Sequence, residues 1–350
     1  MSVVNYFDIF SFERNYKKIK KEVDFFPMVR LCNYGISYDK IIDTVGLKEN
    51  FLVDDISIAK YIRSNSVNNK LILCERNYSE KIFIDLKKMK MDVIIDNYGD
   101  LRLFLKLNQI FNMNKVGLYL KFKDNFSKNG FDIENIDLII DIIRHNDYKG
   151  NISFIFEFLN SIDYENKYNI NFERFKSIEK KISSFIADCY IINDFALFKF
   201  DRKNLDFDYS SLFGLSGNFF YENVITFKTV LDCVRCFKFG NKKINVGVIY
   251  IGFKNGYLRN SKSKVPILID GKKFNVIGTV KAELIIVDLK EYKNIKEGSE
   301  VVLWGDSLTG QTLPIYEVSS YATNTMRKMI DMSAKVVPMN SCEFELKKSS

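Results

Sequence analysis

Two cysteines three positions apart and a single histidine are the residues of this chain whose types most often do chemistry. Cys233 and Cys236 form a C-x-x-C, a spacing that in a turn suits a thiol-disulfide couple or half of a zinc site. Here the pair lies in the alternating run Thr229-Val230-Leu231-Asp232-Cys233-Val234-Arg235-Cys236-Phe237, and a strand sends residues three apart to opposite faces. Neither redox nor metal chemistry is therefore expected there. The other cysteines, at 32, 74, 189 and 342, make no disulfide framework, which suits a reducing cytosol. His145 follows the helical periodicity of Ile133 to Arg144, so it reads as a surface or cap residue rather than a catalyst.

The elements that must position any site come from composition and periodicity. In 350 residues, 52 Lys plus Arg stand against 44 Asp plus Glu, a balance of +8. The basic residues are interleaved with acids rather than gathered in a stripe, which argues against a nucleic-acid footprint. No apolar run reaches the roughly 18 residues of a spanning helix, and Met1 to Phe10 lacks the pattern of a secretory leader, so a cytoplasmic protein without membrane contact is expected. A hydrophobic share of 47% is ample for a sizeable core.

From Phe26 to about Leu215 short apolar runs alternate with amphipathic stretches. The strand-like runs are Pro27 to Leu31, Phe51 to Val53, Lys70 to Cys74, Asp92 to Ile95, Val116 to Phe122, Ile152 to Phe156, Tyr190 to Ile192 and Ser211 to Leu215. Helical periodicity is clearest in Ile56 to Arg63, Leu101 to Leu107, Ile133 to Arg144 and Phe172 to Ala187. Eight such repeats predict an α/β fold with a (β/α)8 TIM-type barrel, whose sites lie at the carboxyl ends of the strands. After Gly217 the pattern turns to strands with turn signals such as Asp270-Gly271, predicting a C-terminal antiparallel β domain. The expected domains are 1–217 and 218–350, with residues 1–12 able to pair with the second.

Several segments, in order, resemble one family. Tyr6-Phe7-Asp8-Ile9-Phe10-Ser11-Phe12-Glu13-Arg14-Asn15 is similar to the first strand and helix start of bacterial alanine racemases, fold-type III pyridoxal phosphate enzymes. Phe26-Pro27-Met28-Val29-Arg30-Leu31-Cys32-Asn33-Tyr34-Gly35 resembles their cofactor-lysine segment. Tyr119-Leu120-Lys121 with Gly130-Phe131 resembles the strand that bears a modified lysine. Tyr250-Ile251-Gly252-Phe253-Lys254-Asn255-Gly256-Tyr257-Leu258-Arg259 is similar to the G-Y-A-D-G-Y-x-R signature, and Gly298-Ser299-Glu300-Val301-Val302-Leu303-Trp304-Gly305 to the closing V-G-D-E-V-V-L-F-G run.

The resemblance implies a site in which this chain departs from the family at the decisive positions. Arg30 stands at the cofactor-lysine position, and a guanidinium that stays protonated is a poor nucleophile and cannot form a Schiff base. Phe253 stands at the catalytic-tyrosine position and has no hydroxyl to exchange a proton. Among the positions that hold the cofactor, Tyr34 is retained, Asn193 is followed by Asp194 at a phosphate-contacting serine, and Phe207, Tyr209 and Arg327 stand for a pyridine-binding arginine, a glycine and a second phosphate tyrosine. Ile36 and Glu157 take the places of two pocket histidines. On the substrate side are Lys121, Lys128 for a carboxylate-binding arginine, and Ala282 and Glu283 for a methionine and an aspartate that reach in from a partner subunit.

Racemising an amino acid means removing a weakly acidic Cα proton and returning it from the other face, which needs an electron sink and two acid/base groups. With both bases replaced, the resemblance implies a racemase-like chain without catalytic residues that has lost L-/D-alanine racemisation and binds no cofactor. Arg30, Lys121, Lys128 and Arg327 would then suit a small anionic ligand, and a homodimer or a heterodimer with a racemase-like chain is expected. The alternatives are an active racemase that uses pyridoxal phosphate with a rearranged site built on Lys121, and a scaffold that pairs with an active paralogue.

Overall fold

The computed structural model describes residues 3–22, 29–31, 38–65, 69–75, 77–123, 129–157, 180, 188–192, 221–239, 242–259, 261–290, 294–322 and 326–342. In chain order the elements are β1 (Val4–Asp8), α1 (Ile9–Glu22), β2 (Val29–Leu31), α2 (Tyr38–Val45), β3 (Phe51–Val53), α3 (Ile56–Asn65), β4 (Leu71–Leu73), α4 (Glu80–Met89), β5 (Asp92–Ile95), α5 (Tyr98–Phe111), β6 (Leu118–Lys123), β7 (Phe131–Asp132), α6 (Ile136–His145), β8 (Ile152–Glu157) and β9 (Asp188–Ile192). They continue with β10 (Ile225–Val230), β11 (Cys233–Phe239), β12 (Lys242–Ile249), β13 (Pro266–Ile269), β14 (Lys272–Asn275), β15 (Ile285–Lys290), β16 (Glu300–Asp306), β17 (Thr312–Leu313), α7 (Ile315–Ser319), α8 (Met326–Val336) and β18 (Met339–Cys342). Two compact units result: Met1–Lys21, Asn33–Thr44 and Ser210–Ser350 form one, Glu22–Cys32 and Val45–Tyr209 the other.

The second unit is the barrel. Its parallel strands follow the order β2-β3-β4-β5-β6-β8-β9, with the short β7 beside β6. Strands this apolar are buried on both faces, as a parallel sheet flanked by helices requires. Leu52, Ile72, Ile94, Tyr119 and Ile155, one from each of β3, β4, β5, β6 and β8, pack into one interior layer. Their neighbours Phe51, Val53, Leu71, Leu73, Val93 and Ile95 are buried on the opposite, helix-facing side. Local chemistry sets the helix ends: the Ser79 side chain accepts the Ile82 amide to start α4, and Asn97 accepts from the Asp100 amide at 2.9 Å to start α5. The expected helix at Ile133 begins as a 3-10 turn, Ile133–Asn135, and becomes α6 one turn later. The expected strand Ser211 to Leu215 lies outside the described residues, and so does all but position 180 of the expected helix Phe172 to Ala187.

The first unit carries the β-rich half. One sheet has the order β14-β13-β16-β10-β1-β18, with β17 on β16, and a three-stranded sheet has the order β11-β12-β15. The pairings are antiparallel as expected except that β18 runs parallel to β1. The predicted Asp270-Gly271 turn links β13 to β14 with both residues at positive φ, 45° and 74°, the backbone form that Asp and Gly tolerate best. At the start of α1, Asp8 accepts the Phe10 and Ser11 amides at 2.9 and 3.1 Å. The Arg14 guanidinium then grips the Glu222 carboxylate at 2.8 and 2.6 Å. Among the described residues no helix is long and apolar enough to cross a membrane.

Candidate functional site

The barrel unit offers its strand ends. Arg30 sits on β2 in register with Leu52 of β3, at the level of the interior layer. Lys121 lies on β6 in register with Ile155, two residues beyond Tyr119 and therefore on the same inward face, where it is half-buried. Continuing the alternation past β3, β4 and β5 brings Asp54, Cys74 and Asp96 to that rim, and Cys74 packs against the interior layer. Glu75 adds a carboxyl whose affinity for its proton is raised, first by burial and then by the charge of Asp55. The rim is thus of mixed sign. Asp54 and Asp96 were not singled out from the sequence, although period-two counting from Leu52 and Ile94 reaches them.

The first unit presents the turn that carries Phe253. A 3-10 turn, Phe253–Asn255, is closed by the Gly252 amide donating to Asn255 Oδ1 at 3.0 Å and the Asn255 amide donating to Gly252 O at 3.0 Å. The Phe253 and Lys254 amides donate to Lys281 O at 3.1 Å and Ala282 O at 2.9 Å, so the segment 281–282 is clasped against the turn. A side chain at 252 would meet Lys281 O at 2.2 Å, which explains Gly252. Gly256, at φ 87°, has both reasons at once, since its left-handed backbone lies where a Cβ would be 2.7 Å from Ser333 Cα. The Phe253 ring is half-buried, and the Arg259 guanidinium lies over its face at 5.4 Å. Lys254 pairs with Glu283 at 2.8 Å, and that hydrogen bond holds the Glu283 carboxyl below its ordinary range.

Tyr34, Ile36, Lys128, Asn193, Asp194, Phe207 and Tyr209 lie outside the described residues. Glu157 ends β8 and Arg327 falls in the first turn of α8. His145 is the exposed last residue of α6, with Nδ1 2.6 Å from Asp141 O. Cys233 and Cys236 both fall on β11, opposite Val248 and Asn245 of β12.

The chemistry these positions can perform is limited. Arg30 cannot make a covalent bond to a carbonyl cofactor, so the residues present do not fit covalent attachment at that strand. Phe253 offers an apolar ring with no hydroxyl to donate or accept a proton. By the same alternation Lys121 and Lys123 of β6 both face inward, and Lys123 pairs with Asp132 at 3.4 Å.

Comparison with known proteins places this geometry. Residues 238–339 match the alanine racemase C-terminal domain. The alanine racemase of Acinetobacter baumannii is 21% identical over 338 residues, covering 90% of this chain and 91% of its own. Among solved structures, the biosynthetic alanine racemase of Pseudomonas aeruginosa superposes with a TM-score of 0.78 at 17% identity, over 97% of this chain and 99% of that one. The alanine racemase of Bartonella henselae does so at 0.75 and 16%, over 98% and 100%. That last structure corrects one expectation: it is described with covalently bound pyridoxal phosphate, so a chain without a cofactor is not what its relatives support. With a barrel and a β domain in the same order, this chain shares the fold of these alanine racemases, and its residues 238–339 match the alanine racemase C-terminal domain.

Proposed function

We propose that this protein is an alanine racemase-like chain that has lost L-/D-alanine racemisation at the proton-transfer step. The observation that carries the reading is Phe253: the turn is built and capped, but it presents an aromatic ring without a hydroxyl, its face taken by Arg259. Arg30 supports the same conclusion from the barrel side, because its guanidinium stays protonated and can neither bond to a carbonyl nor accept the proton. Pyridoxal phosphate, which the Bartonella henselae relative holds covalently, would serve as electron sink when bound. In this chain it would be held without a bond to residue 30.

The test is a reversion series, Arg30→Lys, Phe253→Tyr and the double variant, assayed for L- to D-alanine conversion with pyridoxal phosphate supplied. No conversion by the unaltered protein and a gain in the double variant support the reading. Turnover by the unaltered protein sinks it.

A second reading is favoured by Lys121, half-buried on the inward face of β6. In that reading the chain remains a racemase, with Lys121 in place of the lost lysine. Borohydride-trapped cofactor that disappears in Lys121→Ala would support it.

Self-association fits either reading. Tyr250, Ile277 and Ile286 are 50%, 46% and 37% exposed. Ile277 and Ile286 are joined by a 2.7 Å backbone bond, and Ile286 lies opposite Val248 on β12. This apolar group, Ile286 on β15 with Tyr250 just past β12 and Ile277 two residues past β14, suits a second copy of the chain, and a monomer at micromolar concentration in sedimentation would count against it. A small anionic ligand would be drawn to Lys121 and away from Asp54 and Asp96 on the same rim.

A further inference from the structure

Four side chains in the core of the first unit each hold a fully buried polar atom that meets no hydrogen-bond partner among the described residues: Asn5 Oδ1, Thr229 Oγ1, Tyr257 OH and Trp304 Nε1. Their residues are 0%, 3%, 1% and 0% exposed. They are not scattered. Asn5 of β1 lies directly opposite Phe227 of β10, which lies directly opposite Trp304 of β16, and directly paired residues share a face. Thr229 is buried two positions along β10. Tyr257 stacks on Trp304 with ring centroids 5.9 Å apart. The helix α8 closes this face, where Asn5 Nδ2 donates to Ser333 Oγ at 3.2 Å and to Val337 O just past the helix at 3.3 Å. Those two bonds fix the amide so that Oδ1 is its unmatched acceptor.

The sheet is irregular at the same place. Phe227 faces Trp304 but Lys228 faces Val302, so Leu303 is an extra residue that interrupts the ladder. The unmatched atoms are chemically complementary: an indole N–H only donates, an amide oxygen only accepts, and hydroxyls do both. Burial pushes the Tyr257 phenol up, so it keeps its proton. Leaving all four dry would consume a large share of the net stability of a domain.

We propose that ordered water occupies this core beneath the 252–257 turn, accepting from Trp304 Nε1 and bonding the Tyr257 hydroxyl, with Thr229 and Asn5 as further partners. Buried water makes about three such bonds and is costly to remove. The site props the functional turn, because the Tyr257 amide donates to Gly252 O at 3.2 Å and Gly252 leads directly into Phe253. It holds whether or not racemisation survives.

Trp304 is the only tryptophan, so the emission of the full-length protein reports this site alone. A hydrated indole emits to the red of one in a dry apolar core. The expected result is such a red-shifted emission that moves to the blue in Tyr257→Phe, with Tyr257→Phe and Thr229→Val both melting at lower temperature. Emission at the dry-core limit, unmoved by either variant, with both variants melting higher, would overturn the proposal. A crystal structure gives the second arm. Solvent density within hydrogen-bond reach of Trp304 Nε1 and Tyr257 OH supports the site, and a resolved core without it removes the site.

Discussion

Replacing Gly252 with alanine should damage the Phe253 turn through space rather than through backbone preference. The Gly252 φ of −157° is extended backbone that alanine adopts freely. The added Cβ, however, would lie 2.2 Å from Lys281 O and 2.5 Å from the Ala282 carbonyl carbon and oxygen. These are backbone atoms and cannot swing aside. Relieving such an overlap costs about 1–3 kcal/mol. Moving segment 281–282 away also strains the bonds from the Phe253 and Lys254 amides, each worth about 1 kcal/mol net. A total near 3 kcal/mol corresponds to a fall in melting temperature of about 6–12 °C for a unit of this size. Gly298→Ala is the control: its φ of 86° strains an alanine, but nothing lies within 4 Å of the new Cβ. Its cost should be the left-handed penalty alone, about 1 kcal/mol. Thermal melts followed by circular dichroism decide between them. If Gly252→Ala melts no lower than Gly298→Ala, the clasp between the turn and segment 281–282 is not as drawn.

Further expectations follow from the electrostatics. The Lys228–Glu300 pair, 2.8 Å apart with side chains 15% and 12% exposed, is shielded from water, and Glu300 also accepts the Leu308 amide. Lys228→Ala should cost about 2–3 kcal/mol in chemical denaturation, whereas Lys335→Ala, which breaks the exposed pair with Asp331, should cost about 0.3 kcal/mol. Asp306 has its proton affinity raised chiefly by burial, partly offset by hydrogen bonds from Thr312 and Asn223. A raised folded-state value means that the contribution to stability is complete below the unfolded carboxylate range and is lost as pH rises through the folded value. The melting temperature should therefore fall across that window, from about pH 4 upward, and Asp306→Asn should flatten that part of the profile. Arg259→Gln should lose the contact over Phe253 at a cost of about 0.5–1 kcal/mol without changing the far-ultraviolet spectrum.

Much of the fold was legible because apolar runs such as Leu71 to Leu73 admit only a buried strand between amphipathic helices. The two-residue strand β7 and the 3-10 start at Ile133 were not legible, since neither is long enough to show a period. The parallel pairing of β18 with β1 joins the two ends of the described chain, and no local pattern announces such a partner. Arg30 and Phe253 are singled out by position within recognisable runs, and they fall on β2 and on the 253–255 turn. The layer of Asp54, Cys74, Asp96 and Lys121 was hidden because three of its members lie just past the ends of their strands. The contact of Arg259 with Phe253 depends on a turn that Gly252 lets pack against Lys281 and Ala282 and that Gly256 ends in the left-handed region, and no local run of residues announces it.

The central claim is that the proton-transfer step has been lost, and the direct measurement is L- to D-alanine conversion by the unaltered protein with pyridoxal phosphate supplied. The account predicts no conversion above that of the cofactor in buffer. Sustained conversion that scales with protein concentration would contradict it, and its loss in Lys121→Ala would show which residue had taken over.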